Sequence, residues 1–221
     1  MGQTYLSQFQ YSSAISEFKR ALRINYLDNS ARIGLANSYL ARGTYFANKE
    51  SNYEKAADDY RSALFYLKYY PTAQQVQNAS AAISNTTLNL NKCLETSKFN
   101  SSPANRYQKA SQLRANGEFA AAGYEFAQSA TNQNLKKDSY AQIADIMKII
   151  GNDNKSAEYY QKAVSFAPND AGLRLKYARV LDRLDQVELA VNEYNYALSK
   201  SEGNPEILYA LERIYTNKIA L

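Results

Sequence analysis

The chain repeats itself every 34 residues, and this period restricts its fold more than any other feature. Ala110, Ala144 and Ala178 follow one another at this spacing, and so do Gly117 and Gly151. After each of these first segments, small and aromatic residues recur at fixed offsets: Ala122, Phe126 and Ser129; Ser156, Tyr160 and Ala163; Ala190, Tyr194 and Ala197. A fixed period of this length is typical of arrays of stacked supersecondary units. The sequence therefore predicts a repeat array.

Each repeat has the pattern of a helix, a turn and a second helix. Small side chains at Ala144 and Ala163 would let two helix axes approach closely, and Tyr160 would fill the space between neighbouring turns. Gly151 can end the first helix with a positive φ, and Pro168 cannot continue the second. Only 8 Gly and 4 Pro occur in 221 residues, which leaves long segments free for helix. We expect an all-α chain of antiparallel helix pairs.

The stretch GNDNKSAEYYQKAVSFAPND, residues 151–170, resembles the tetratricopeptide repeat family. It has the family's turn glycine, small residue, aromatic, alanine and closing proline in order, and the resemblance covers most of the chain. It implies a right-handed superhelical solenoid of antiparallel helix pairs, with about five to six repeats plus a terminal capping helix. Two departures are visible: only one unit has the early aromatic of the first helix, at Tyr140, and the closing proline is kept only at Pro168.

The first part of the chain, residues 1–98, follows the same pattern with irregular spacing. Between Phe18 and Tyr60 the interval is 42 residues, and the extra eight residues are 44–51. Eight residues are about two helical turns, so we expect a longer helical hairpin, with a projecting loop as the alternative. Residues 71–98 are predicted to form a degenerate unit, as one long helix or as two helices with a turn near Asn85 and Thr86.

A boundary is expected near residues 99–103, where the segment FNSSP interrupts the helical pattern. Residues 103–221 are then predicted to form regular repeats that end in a capping helix at 205–221, which would cover the terminal apolar face. The chain begins in the second half of a first helix, which suggests an excised fragment.

The residue types exclude most familiar catalytic and metal sites. There is no histidine and only one cysteine, Cys93, so a Ser-His-Asp triad, a Cys/His zinc site and an intrachain disulfide are all excluded. The sequence lacks glycine-rich phosphate-binding motifs and convergent acid pairs. We therefore expect a protein that is not an enzyme and takes no cofactor and no metal.

Charge and hydropathy bear on partners and location. The net charge of +5 is spread along the chain, so no nucleic-acid partner is expected. The first residues lack a charged and apolar leader, and no apolar run approaches the roughly 18 residues that span a bilayer. This favours a soluble protein without membrane insertion. A single cysteine, Cys93, that stays reduced weakly favours the cytoplasm, and the compartment stays open.

The family resemblance implies a concave groove lined by first helices. When the repeats are aligned, eight residues fall on positions that would face this groove and are candidates for partner binding: Asn37, Tyr107, Arg114, Lys148, Arg179, Arg183, Tyr209 and Arg213. Its five basic members would form a ladder suited to carboxylate or phosphate on an extended segment. The alternative is that these cations pair with Asp145, Asp182 and neighbouring acids on a solvated face.

The resemblance implies a non-catalytic adaptor that binds a peptide or helix of another protein in the groove. The carboxylate clamp of the family's chaperone-binding branch is not reproduced, because Ile33 precedes Asn37 and Val76 occupies the middle position. Two alternatives stay open: a scaffold that assembles into homo-oligomers, and a helical repeat that binds RNA. The run FYLKYYP at 65–71 is interpreted either as packing between repeats or as a patch for a partner.

Overall fold

The computed structural model describes residues 1–71, 73–201 and 203–219, and these residues form thirteen α-helices and no strand. The all-α prediction is confirmed. The contacts divide the chain into two compact units, Met1–Thr131 with α1–α8 and Asn132–Leu221 with α9–α13. Among the described residues, no helix is long and apolar enough to cross a membrane.

The helices of the first unit are α1 (Gly2–Ser7), α2 (Tyr11–Ile24), α3 (Asn29–Lys49), α4 (Tyr53–Leu64), α5 (Ala73–Asn78), α6 (Ser80–Thr96), α7 (Pro103–Ala115) and α8 (Phe119–Ser129). A π-helical segment, Phe65–Tyr69, continues α4. The second unit begins with a 3-10 turn, Gln133–Leu135, followed by α9 (Lys136–Ile149), α10 (Asp153–Phe166), α11 (Ala171–Arg183), α12 (Val187–Lys200) and α13 (Pro205–Ile219).

Small residues hold α9 and α10 close together, as the repeat pattern predicts. Ala144, Tyr160 and Ala163 are fully buried. The hydroxyl of Ser156 donates a hydrogen bond of 2.9 Å to the carbonyl oxygen of Ala144, which only a close approach of the two helices permits. Neighbouring helices of the second unit pack in the same sequence, from α9 through α12 to α13. The array of helix pairs is therefore present as predicted.

The predicted capping helix corresponds to α13, Pro205–Ile219, and residues 220 and 221 lie outside the described residues. It packs on α12, and its side chains Ile207, Leu211 and Ile214 are buried.

Gly151 ends α9 in the left-handed conformation that the sequence predicts. Its φ is +86°, and the backbone amide of Asn152 donates to the carbonyl of Met147 at 2.8 Å, closing a Schellman-type cap. No neighbouring atom lies within 4 Å of the place that a Cβ would take. Glycine is required here by backbone conformation and not by space.

Gly151→Ala is therefore expected to lower the free energy of unfolding by about 1 kcal/mol, because alanine tolerates positive φ poorly. The matched control is Gly172→Ala near the start of α11, where the nearest atom to a new Cβ would be 3.6 Å away and φ is not positive. That change is expected to be neutral or stabilising by up to about 0.5 kcal/mol. Thermal unfolding of both variants measures the difference, and equal midpoints would contradict it.

The inserted residues 44–49 prolong a helix, and Glu50 and Ser51 lie between it and α4. Helix α3 continues through them to Lys49 and is 21 residues long. Gly43 lies at the point where α3 meets α4, and a Cβ there would stand 3.0 Å from the Tyr60 ring and 3.2 Å from the carbonyl oxygen of Ala56. The small residue thus allows the lengthened helix to pack closely on its partner.

The break in residues 71–98 occurs at Ala79 and not near Asn85 and Thr86, so that part of the prediction is wrong. Helix α6 is continuous from Ser80 to Thr96. The hydroxyls of Thr86 and Thr87 each donate at 2.7 Å to the carbonyl four residues earlier. Because their polar groups are satisfied inside the helix, these residues do not need a turn. Residue 72 of this segment lies outside the described residues.

The boundary predicted near residues 99–103 lies inside the first unit. Helix α8 comes after that segment and packs back on α4, which comes before it. Glu125 of α8 accepts a hydrogen bond of 2.5 Å from Nε of Arg61 of α4, and both side chains are buried. The residue types at 99–103 do mark the start of a helix, since Pro103 opens α7 and Ser102 caps it. They do not separate two units.

The tyrosine-rich run at 65–71 belongs to the core of the first unit. Phe65, Tyr66 and Tyr70 are buried, and the rings of Tyr66 and Tyr39 stack with their centroids 6.2 Å apart. The packing interpretation of this run is the one that the structure supports. Cys93 is also buried, and burial raises the pKa of its thiol.

Candidate partner-binding face

The eight predicted groove residues are divided between the two units. Asn37, Tyr107 and Arg114 lie in the first. Asn37 is exposed on α3, and Arg114 is half-buried on α7. The ring of Tyr107 packs edge-on against Phe126 with centroids 5.2 Å apart. Tyr107 therefore takes part in packing between α7 and α8.

The other five residues lie in the second unit, on the first helices of successive pairs: Lys148 on α9, Arg179 and Arg183 on α11, and Tyr209 and Arg213 on α13. Each of the four cations has a carboxylate beside it. Lys148 lies 3.9 Å from Asp145, Arg179 2.5 Å from Glu206, and Arg183 2.6 Å from Asp153. Arg213 pairs with Asp182. The predicted basic ladder is thus interleaved with acids, as the alternative interpretation proposed.

We call this surface the acid–base face. Its members are Asp145, Lys148, Asp153, Lys176, Arg179, Asp182, Arg183, Glu206, Tyr209 and Arg213. Five cations and four carboxylates give it a nearly balanced charge. The ion pairs join α9 to α11, α10 to α11, and α11 to α13.

Two aspartates of the acid–base face have matching surroundings. Asp145 accepts a hydrogen bond of 2.5 Å from the Tyr160 hydroxyl and one of 3.2 Å from Lys176. Asp182 accepts from the Tyr194 hydroxyl at 3.4 Å and from Arg213. In both cases the cation follows its aspartate by 31 residues.

Sequence reasoning missed this pairing of aspartate, tyrosine and cation. The two aspartates are 37 residues apart and do not fall on the 34-residue register. The one sequence signal for this pairing is that Lys176 and Arg213 are separated by the same 37 residues as Asp145 and Asp182.

Burial keeps the two tyrosine hydroxyls protonated. Burial, and then the charge of Asp182, raise the pKa of Tyr194 to about 12. The pKa of Tyr160 is raised well above its usual range, first by burial and then by its hydrogen bond to Asp145. Both phenols therefore remain hydrogen-bond donors at neutral pH, and they help to fix the two aspartates.

The raised pKa of Tyr194 predicts a loss of stability at alkaline pH. The folded chain holds this proton more tightly than the unfolded chain, whose tyrosines ionise near 10. The stabilisation is therefore complete below about pH 10 and is lost as the pH rises towards 12. Urea unfolding at pH 9, 10 and 11 should show a falling free energy of unfolding, with a shallower fall in Tyr194→Phe. Parallel curves for the two proteins would contradict the assignment.

The cations of the acid–base face are exposed, whereas the side chains of Asp145 and Asp182 are only 11% and 18% exposed. The side chains of Arg179, Arg183 and Arg213 are 43%, 46% and 43% exposed. Exposed pairs of this kind contribute roughly 0–1 kcal/mol each, because water screens them. Tyr209 is 68% exposed on α13 and lies within one helical turn of Glu206 and Arg213. The face therefore offers charged groups and a ring that a partner can contact at little cost in stability.

Comparison with known proteins agrees with the repeat pattern. The family model of the tetratricopeptide repeat matches residues 1–26 and 137–170. No curated protein shows significant sequence similarity to the chain.

Three solved structures illustrate the similarity of fold. MamA is 15% identical, with 93% of this chain and 97% of MamA covered and a TM-score of 0.44. The APC/C hetero-tetramer Cut9–Hcn1 is 17% identical, with 96% of this chain and 41% of that chain covered and a TM-score of 0.47. The TPR2AB domain of yeast Sti1 in complex with pHSP90 is 14% identical, with 97% of this chain and 94% of that chain covered and a TM-score of 0.43. At these identities and TM-scores the likeness assigns no partner to this chain.

The two segments matched by the family model lie one in each compact unit, and both fall on the helix, turn and helix pattern described above. These two segments therefore match the tetratricopeptide repeat, as the sequence predicts.

Proposed function

We propose that the chain is a non-catalytic scaffold that binds a segment of another protein on the acid–base face of its second unit. One observation carries this proposal: exposed cations alternate with carboxylates across α9, α11 and α13, and an exposed tyrosine lies among them. Tyrosine and arginine are the residue types that most often dominate the energy of protein interfaces. Tetratricopeptide repeats that serve only as structural spacers would not need them exposed together.

The pattern of charge indicates the kind of partner. A partner segment with both acidic and basic side chains can replace the internal ion pairs one by one, and each exchange costs little because the existing pairs are weak. Such complementarity contributes more to specificity and association rate than to affinity. Affinity would come from Tyr209 and the arginine side chains around it.

The same pattern argues against nucleic acid as the ligand. Phosphate binding depends on cations that release counterions, and here four carboxylates lie beside the five cations. Self-assembly of the chain is a distinct outcome and is tested by light scattering across a concentration series. A strictly monomeric chain would remove its support.

The variant Arg179→Glu/Arg183→Glu tests the proposal. Peptides are first selected on the immobilised chain from a random library displayed on phage, and the binding of the enriched peptides is then measured. We expect the double variant to bind them at least roughly tenfold more weakly, because it removes two cations from the centre of the face. Its thermal midpoint should stay close to that of the wild type, since both arginines are exposed.

Two controls separate a specific effect from a general effect of charge. Arg20→Glu reverses an arginine in the first unit that is 61% exposed and is paired with Glu17. It should leave peptide binding unchanged. Exchange of Arg179 and Glu206 keeps the pair and the net charge but inverts its direction, and it should weaken binding. If the double variant is folded and captures the peptides as well as the wild type does, the proposal is wrong.

A further inference from the structure

The first helix of each pair meets its second helix at a position that recurs with the 34-residue period. In three pairs, the residue at this position contacts the residue that comes 19 later in the chain. The contacts are Arg106 with Glu125 at 2.8 Å, Arg174 with Glu193 at 2.7 Å, and Tyr140 with Tyr159, whose ring centroids are 6.2 Å apart. This position therefore marks the side of a first helix that the second helix covers. On α13 it is occupied by Leu208.

Two further positions of the repeat lie on the same side, four and seven residues after the first, because residues at these spacings share one face of a helix. The hydrogen bond from Ser156 to the carbonyl oxygen of Ala144 places the middle position against the second helix. Both positions are buried in all three pairs, with Ala110, Ala144 and Ala178 at the middle one and Leu113, Met147 and Leu181 at the last. The covered side therefore has a small residue between two larger ones.

On α13 the same three positions are exposed. Leu208 and Tyr215 are each 47% exposed, and Glu212 between them is exposed as well. We call these three residues the terminal stripe. In the described part of the chain α13 packs on α12, and no helix covers the terminal stripe. The stripe shares no residue with the acid–base face.

Glu212 stands where the repeat has alanine. A second helix of the ordinary kind approaches closely at this position and brings a small residue of its own, as α10 does with Ser156. Such a helix would enclose the carboxylate, which is costly unless a cation accompanies it. In the described residues the ion pairs of α13 involve Glu206 and Arg213, and Glu212 has none. The terminal stripe therefore suits a helix that supplies the missing cation.

The helix pairs of the chain show how such a helix would lie. In the pair α9–α10, Ser156 contacts Ala144 and Tyr159 contacts Tyr140. Residue numbers therefore rise along the second helix as they fall along the first, so the two helices are antiparallel. A helix on the terminal stripe in this arrangement has its cation over Glu212, and the residue three positions later covers the first position of the stripe.

A second copy of the chain does not supply a helix of this chemistry. The stripe requires a lysine or arginine with a large apolar residue three to four positions away on each side. In the described helices, no exposed lysine or arginine has exposed large apolar residues at these spacings on both sides within a single helix. The complementary helix is therefore one of another protein.

We propose that the terminal stripe binds an amphipathic helix of another protein that carries a lysine or arginine inside its apolar face. The cation pairs with Glu212, and the apolar residues on either side of it cover Leu208 and Tyr215. This is the mode in which an amphipathic helix lays its apolar face on a complementary surface. The charge of Glu212 selects the partner, because an apolar helix without the cation leaves the carboxylate enclosed and unpaired.

The test uses the full chain and a synthetic helix based on residues 187–200, the sequence of α12, which is itself the second helix of a pair. The lysine peptide carries Ala190→Lys and Glu193→Leu, so that apolar residues lie three positions before the cation, at Val187, and three positions after it. The glutamate peptide carries Ala190→Glu and Glu193→Leu, and the alanine peptide carries Glu193→Leu alone. A side-chain cross-link holds each peptide helical, since isolated helices shorter than about 12–15 residues are marginal in water.

Binding is measured by fluorescence anisotropy, and the binding site is mapped by NMR chemical shifts. We expect the wild type to bind the lysine peptide at least roughly tenfold more tightly than the glutamate peptide, and roughly threefold or more tightly than the alanine peptide. The shift changes should lie on α13 around Glu212. A higher salt concentration should weaken binding of the lysine peptide, because it screens the ion pair.

Three variants locate the site. Glu212→Lys should reverse the preference, so that the glutamate peptide binds more tightly than the lysine peptide. Leu208→Ala and Tyr215→Ala are each expected to weaken binding of the lysine peptide at least roughly fivefold. All three should keep the thermal midpoint of the wild type, since these side chains are exposed. The control Leu88→Ala removes a leucine of the first unit that is 55% exposed, and it should leave binding unchanged.

Four results would overturn the proposal. The first is equal binding of the lysine and glutamate peptides, and the second is a preference that Glu212→Lys does not reverse. The third is an alanine peptide that binds as tightly as the lysine peptide, because the stripe would then take an ordinary next helix of the repeat. The fourth is a set of shift changes confined to α11, where the peptide would have replaced α12. The variant Arg179→Glu/Arg183→Glu should bind the lysine peptide normally, which keeps this test separate from that of the acid–base face.

Discussion

Replacing Glu125 by alanine is expected to lower the free energy of unfolding of the first unit by about 3–5 kcal/mol, as is usual when one member of a buried ion pair is removed. Glu125 is fully buried, and Arg61 is only 2% exposed. One carboxylate oxygen accepts from Nε of Arg61 at 2.5 Å and the other from Nη1 of Arg106 at 2.8 Å. Without Glu125, both guanidinium groups lose their common acceptor. Arg61 cannot reach water and keeps only Asp58, whose carboxylate lies 2.8 Å from its Nη1. Urea unfolding followed by circular dichroism measures the loss.

The matched control is Glu17→Ala, which removes the acid of an exposed pair with Arg20 and should cost less than about 0.5 kcal/mol. The double variant Arg61→Met/Glu125→Leu removes both charges of the buried Arg61–Glu125 pair and leaves Arg106, which is 15% exposed, in place. It is expected to be more stable than Glu125→Ala, because the larger part of the penalty comes from leaving the buried Arg61 without its buried partner. A loss below about 1 kcal/mol for Glu125→Ala would show that this pair does not hold α8 on α4.

Replacing Phe65 by alanine is expected to lower the free energy of unfolding by about 3–5 kcal/mol, because apolar burial is lost and a cavity is created. Phe65 is fully buried at the point where α4 continues into the π-helical segment. Its ring lies against the backbone of α8, and a Cβ on Gly123 would overlap it. Phe9→Ala, which removes a phenylalanine that is 76% exposed, should change stability by less than about 0.5 kcal/mol.

The reciprocal change tests the same contact from the other side. Gly123→Ala should destabilise the unit by about 1–3 kcal/mol, because the buried ring cannot move away from the added methyl group. Phe65→Leu in the same chain makes room, so the double variant should lose less than the sum of the two single losses. Additive losses would mean that Phe65 and Gly123 are not in contact.

The sequence predicted the parts of the fold that depend on local pattern. The 34-residue register correctly located the buried Ala144, Tyr160 and Ala163 and the left-handed Gly151. These positions are fixed by the contact between neighbouring helices, which leaves a periodic trace in the sequence.

The division into units was not predictable in the same way. It depends on Glu125 and Phe65, through which α8 packs on α4. Glu125 and Arg61 are 64 residues apart in the sequence, and the repeat pattern does not predict that they meet. The turn near Asn85 and Thr86, one of the two alternatives for residues 71–98, was wrong because threonine side chains that bond within their own helix look the same in sequence as threonines in a turn.

The candidate site shows a similar limit. Alignment of the repeats placed Arg179, Arg183 and Arg213 on first helices, but it did not show which carboxylates lie beside them. Glu206 meets Arg179 over 27 residues and Asp153 meets Arg183 over 30, so the pairs follow no single interval.

The central claim is that the exposed first helices of the second unit form a binding surface. NMR chemical-shift mapping of a peptide selected on the wild-type chain tests it most directly. We predict shift changes concentrated on α9, α11 and α13, around Arg179, Arg183 and Tyr209, and their absence in Arg179→Glu/Arg183→Glu. Shift changes confined to the opposite helices, α10 and α12, or to the first unit would contradict the claim.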